Sequence, residues 1–137
     1  MMHLKPRFLL VDDDPLNNTL SRMYLARTFG NVEIKEFLIP EEALAHMDQD
    51  FTNNQSEGIV TLFLDINMPT LSGWEFLEKF NCFDESLKKQ YHIYMLTSSI
   101  DPADIKRAKL NPLVLDFIEK PINKEILTKI FGEIIKY

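Results

Sequence analysis

Five short apolar runs recur along the chain, separated by longer stretches with helical spacing, and several runs end abruptly in polar residues. The runs are Arg7–Val11, Val32–Phe37, Ile59–Leu64, Tyr91–Leu96 and Leu113–Ile118. Their length, β-branched content and flanking turn residues favour strands over pieces of buried helix. Between them, apolar side chains return at helical intervals: Leu16, Leu20, Met23 and Tyr24, then Ala43, Leu44 and Met47, then Trp74, Leu77 and Phe80. A last segment, from about Asn123 to Lys136, carries Ile126, Leu127, Ile130 and Ile134 on one broad stripe. Strands alternating with helices predict a parallel sheet covered on both faces. The expected class is therefore α/β, a doubly wound five-stranded parallel sheet in the order 2-1-3-4-5 with five helices.

Local punctuation agrees with this plan. Asp14-Pro15 and Asp101-Pro102 each offer an N-cap followed by proline at the first helical position. Ser72-Gly73-Trp74-Glu75 has capping-box spacing, and Gly30 is placed to stop the first helix. Asp48 to Glu57 is polar and reads as an extended loop, while Asn81 to Gln90 is long enough to extend the third helix. With 137 residues, no repeat and no linker, residues 1–137 are expected to form a single domain.

A net charge of -6 and a pI near 5.0 disfavour nucleic acid as a partner. No apolar run is long enough to cross a membrane, and the N-terminus lacks the pattern of a signal peptide, so a cytoplasmic location is expected. Cys82 is the single cysteine, which excludes an internal disulfide and a Cys-based zinc site; it reads as a small, partly buried apolar residue. His3, His46 and His92 show no ligand spacing. Trp74, Met68 and Met95 read as packing residues.

The strand ends hold the chemistry. Asp12 and Asp13 follow the first run, Asp65 the third, Thr97 the fourth and Lys120 the fifth. In the expected order these ends share one rim, where open α/β sheets bind ligands. Taken singly each residue has a bland role: a solvated loop for Asp12 and Asp13, a backbone-bonded hydroxyl for Thr97, a surface ammonium for Lys120. Asp14 is the helix cap. Together, three carboxylates against one lysine leave excess negative charge that a hard divalent cation would relieve, and oxygen ligands suit Mg²⁺. Such a site is suited to phosphoryl transfer, with Asp65 as nucleophile, Thr97 as hydrogen-bond donor and Lys120 as counter-charge. A Mg²⁺-dependent phosphohydrolase is a rival reading, but Asn67 stands where such an enzyme places a second acid. A flavodoxin-like cofactor protein is another, but the acidic first loop would repel a phosphate. A constitutive docking module of the same fold, working without phosphorylation, is a third.

Phe8-Leu9-Leu10-Val11-Asp12-Asp13-Asp14, Leu64-Asp65-Ile66-Asn67-Met68-Pro69, Leu71-Ser72-Gly73, Leu96-Thr97-Ser98 and Glu119-Lys120-Pro121 occur in the order and spacing of a known family. Over nearly its whole length the chain resembles the receiver domain of two-component response regulators, of the stand-alone, flavodoxin-like type. The resemblance implies a signalling switch rather than an enzyme, with Asp65 as phosphoacceptor. It also implies direct coordination of Mg²⁺ by Asp13, coordination by Asp12 mainly through water, and a third protein ligand in the Asn67 carbonyl. Thr97 and Lys120 would sense the phosphoryl group, Phe117 would rotate inward as the Thr97 loop closes, and the Lys120-Pro121 peptide would be cis. Asn67 and Ser99 would face the leaving phosphoryl group. The implied partners are a histidine kinase or histidine phosphotransfer protein and a downstream output protein, met through a surface of helix four, strand five and helix five. Because the chain stops at Tyr137, output is expected through a partner protein or as a phosphorelay intermediate. Homodimerisation on activation stays open, since Lys106, Arg107 and Lys109 read equally well as solvated.

Overall fold

The computed structural model describes residues 6–53, 58–98 and 101–135. Five strands, β1 (Arg7–Val11), β2 (Glu33–Phe37), β3 (Val60–Asp65), β4 (Tyr91–Thr97) and β5 (Val114–Glu119), form one parallel sheet in the order β2-β1-β3-β4-β5. The expected strands are therefore present, with ends shifted by a residue at most. Six helices connect and cover them: α1 (Pro15–Phe29), α2 (Pro40–Asn53), α3 (Gly73–Phe80), α4 (Glu85–Lys88), α5 (Pro102–Leu110) and α6 (Lys124–Ile135).

The period of two along each strand divides the core between the two sheet faces. Leu9, Val11, Leu62, Leu64, Ile93 and Met95 pack with Ala43, Leu44 and Met47 of α2 and with Trp74, Phe76, Leu77 and Phe80 of α3. Phe8, Leu10, Phe63, Leu96 and Ile118 belong to the opposite cluster, with Leu25 of α1 and Leu127 of α6. β3 is buried at all of its positions, as a central parallel strand must be.

Four expectations are corrected. The chain between α3 and β4 forms a separate one-turn helix rather than an extension of α3, giving six helices instead of five among the described residues. Phe83 turns back to stack edge-on against Phe80, and Leu87 of α4 is buried. The polar stretch from Asp48 does not form a loop as far as Asn53; α2 continues through it, because Phe51 packs on the core and Asp50 reaches the Arg7 guanidinium at 3.5 Å. The rest of that predicted loop, residues 54–57, lies outside the described residues, as do His3 and Ser99.

The inner face of α1 is also not the predicted one. Leu16 is 65% and Met23 44% exposed, while Asn17, Asn18, Ser21 and Leu25 are buried. Cys82 is exposed rather than partly buried. The helix ends follow their sequence cues: Asp14 accepts from the Leu16 N–H, Asp101 from the Ala103 N–H, and Ser72 and Glu75 form a reciprocal capping box. Gly30 closes α1 at φ 77°, a conformation that favours glycine. Among the described residues no helix is long and apolar enough to cross a membrane.

Candidate functional site

Parallel register brings the candidate residues to one rim. Val11 of β1 is paired with Leu64 of β3, so the residues that follow, Asp12 and Asp65, emerge side by side. Asp65 is level with Leu96 of β4, and Thr97 is level with Glu119 of β5. The Lys120 N–H donates to the Thr97 carbonyl at 2.7 Å, which extends the ladder by one bond and fixes where the lysine leaves the sheet. The Lys120-Pro121 peptide is cis, as expected.

The carboxylates of Asp12, Asp13 and Asp65 each place an oxygen within 4.8 Å of the other two. Asp12 and Asp65 are buried, whereas Asp13 is open to solvent at the mouth. The Lys120 ammonium bridges the buried pair, 2.7 Å from an Asp12 oxygen and 3.0 Å from an Asp65 oxygen. Thr97 is buried at the same rim, and Asn67 is exposed two residues beyond Asp65. Phe117 is half-buried on β5 and packs against the core on the α2–α3 face.

Burial and the neighbouring Asp12 charge push the Asp65 carboxyl up from 3.8 to about 6, against the opposing pull of Lys120. For Lys120, burial favours the neutral amine, but hydrogen bonds and charge from Asp12 and Asp65 outweigh it and raise the ammonium's pKa. The pocket thus carries more negative charge than its one lysine can balance. Its ligand set is oxygen-only and closely spaced, a donor set that fits Mg²⁺.

Three residues without an assigned role in the sequence support this arrangement. The Asn17 side-chain amide donates to Asp12 Oδ2 at 2.7 Å, and the Asn18 amide donates to the Asp12 carbonyl at 3.1 Å. The readable cue was a pair of adjacent asparagines in the first turn of a helix, next to the acidic loop. The third is Gly73, whose place in the matching motif was visible but whose purpose was not. A Cβ there would lie 2.6 Å from the Asp65 carbonyl oxygen and 3.0 Å from the Ile66 Cα. Its N–H donates to the Ile66 carbonyl at 2.7 Å, so α3 begins directly against the end of β3.

The family model described as response regulator receiver domain matches residues 8–131. Among solved structures, the chain is similar to a two-component response regulator from Cytophaga hutchinsonii, with a TM-score of 0.85 and 24% identity over 98% of this chain and 100% of that one. A response regulator receiver protein from Dyadobacter fermentans gives 0.82 and 21% over 93% and 96%. The chemotaxis response regulator CheY4 of Vibrio cholerae gives 0.68 and 24% over 94% and 98%. At these identities the structural likeness is one of fold. No curated protein matches the chain.

Proposed function

The chain belongs to the response regulator receiver domain family, and on that premise we propose that it is a phospho-accepting switch with Asp65 as the acceptor. The observation that carries the reading is the meeting, at one rim, of three carboxylates from two adjacent strand ends with a lysine from a third. Asp14 is committed to the α1 cap and Asp12 is held by several donors. That leaves Asp65 as the buried carboxylate with an oxygen for bond formation.

A phosphohistidine on a kinase or phosphotransfer protein is the donor. An Asp65 oxygen attacks phosphorus, the phosphorus–nitrogen bond breaks, and the imidazole leaves with its electron pair and takes up a proton. Asp12, Asp13, Asp65 and the Asn67 carbonyl would hold Mg²⁺, which when bound offsets charge on the transferring oxygens. Lys120 stands within reach of Asp65 and exchanges its Asp12 contact for a phosphoryl oxygen. Thr97 donates its hydroxyl to another.

The 137 residues act as one receiver domain in the cytoplasm. The drawing-in of Thr97 and Lys120 shifts the population of states on the α5–β5–α6 surface, Phe117 included, where an output protein or a second copy docks. The experiment is incubation with a small-molecule phosphodonor and Mg²⁺ or with a histidine kinase, followed by intact-mass measurement. Gain of one phosphoryl group in the wild type and none in Asp65→Asn is expected. An unmodified wild type under both donors overturns the reading.

A further inference from the structure

Asn17 is a costly residue where it stands. It is buried on α1, on the face where a helix of this kind is expected to place leucine, and Asn18 and Ser21 are buried with it. Burying an amide without a partner is unfavourable, so the position needs a specific acceptor. That acceptor is the Asp12 carboxylate, 2.7 Å away.

The other Asp12 oxygen takes the Asp14 N–H at 2.9 Å. The two donors therefore hold different oxygens of one carboxylate, which fixes a terminal torsion that is otherwise broad. Lys120 shares the oxygen held by Asn17. If the lysine turns to a phosphoryl group, Asn17 is the side-chain donor that still holds that oxygen.

We propose that Asn17 is a positioning residue for the cation site, holding Asp12 in the orientation that faces the bound Mg²⁺ and its water. Asn18 does a different job, since it bonds the Asp12 backbone carbonyl and ties the loop to α1. The inference rests on the proposed Mg²⁺ site and extends it to a residue outside the strand-end set.

The test measures Mg²⁺ affinity directly, without phosphorylation, in wild type, Asn17→Ala and Asn18→Ala. Loss of an outer hydrogen-bond partner of a ligand weakens metal binding by about 10- to 100-fold. Asn17→Ala is expected to show that loss while keeping its circular dichroism spectrum, and Asn18→Ala is expected to lose thermal stability with less change in affinity. In wild type, the two Asn17 side-chain amide proton resonances are expected to shift on Mg²⁺ addition, which a residue serving only the loop would not do. That measurement stands even if Asn17→Ala fails to fold. A folded Asn17→Ala with wild-type affinity, or amide resonances indifferent to Mg²⁺, overturns the inference alone. A wild type that takes up no Mg²⁺ overturns it together with the metal part of the proposed function.

Discussion

The Lys120 ammonium lies 2.7 Å from Asp12, closer than its 3.0 Å approach to Asp65, so the lysine is anchored on the neighbour of the proposed acceptor. Lys120→Met would leave two buried carboxylates facing each other without their shared cation. Breaking a buried ion pair by removing one partner costs about 3–5 kcal/mol. The variant is expected to melt well below wild type in the presence of a chelator near neutral pH, and to recover more stability from Mg²⁺ than wild type gains. Thermal melts with chelator and with Mg²⁺ check this; equal Mg²⁺ gains in both proteins would contradict it.

Asp65 gives the metal-free fold a pH dependence of defined direction. Its carboxyl titrates near 6 in the fold and near 3.8 when free of it, so between those values the folded chain holds a proton that the unfolded chain has released. The contribution to stability therefore falls as pH rises from about 4 to about 6, and the deficit stays constant above. Each pKa unit corresponds to about 1.4 kcal/mol, and solvent screening at the open mouth reduces the total to about 1–2 kcal/mol. Asp65→Asn removes the titration. In chelator it is expected to melt higher than wild type at pH 7.5 and alike at pH 4. Parallel stability curves for the two proteins across that window would refute the assignment.

Gly73 is a steric requirement of the site. The atoms a Cβ would meet at 2.6 and 3.0 Å belong to the Asp65 and Ile66 backbone, which cannot swing aside like a side chain. Gly73→Ala must push α3 away from the end of β3, and overpacking of this kind costs about 1–3 kcal/mol. Urea unfolding should show a lower midpoint with an unchanged slope. Phosphorylation of Asp65 should slow as well, since the displaced backbone carries the acceptor.

The strand order and the rim were legible because parallel strands announce themselves as apolar runs, and because Asp12, Asp65, Thr97 and Lys120 each end or follow one. The inner face of α1 was not legible. Leu16 and Met23 have helical spacing, but the buried Asp12 carboxylate demands donors from the first turn, and Asn17 and Asn18 turn inward to supply them. Local electrostatics there overrides amphipathic pattern. The end of α2 was misread for a similar reason. Its last turns are polar because most of their side chains are exposed, and the one apolar side chain there, Phe51, is too sparse a cue to mark a helix. The link between Gly73 and Asp65 is a distance across eight residues of chain, which no periodicity encodes.

Asp12 and Asp13 are adjacent in sequence and share the proposed cation, yet their burial predicts opposite behaviour without it. Asp12 is 1% exposed and accepts from the Asp14 N–H, the Asn17 amide and Lys120. Asp12→Ala strands those donors and is expected to lower the metal-free melting temperature by several degrees, each unpaired buried group costing about 1–3 kcal/mol. Asp13 is exposed, and its carboxylate faces other negative charge. Asp13→Ala is expected to leave metal-free stability unchanged or slightly higher, while abolishing the Mg²⁺-dependent rise in melting temperature that linkage gives the wild type. Melting curves of both variants, with and without Mg²⁺, separate the two roles. A retained Mg²⁺ response in Asp13→Ala would remove that residue from the ligand set, and an unchanged metal-free melt of Asp12→Ala would show that its donors find other partners.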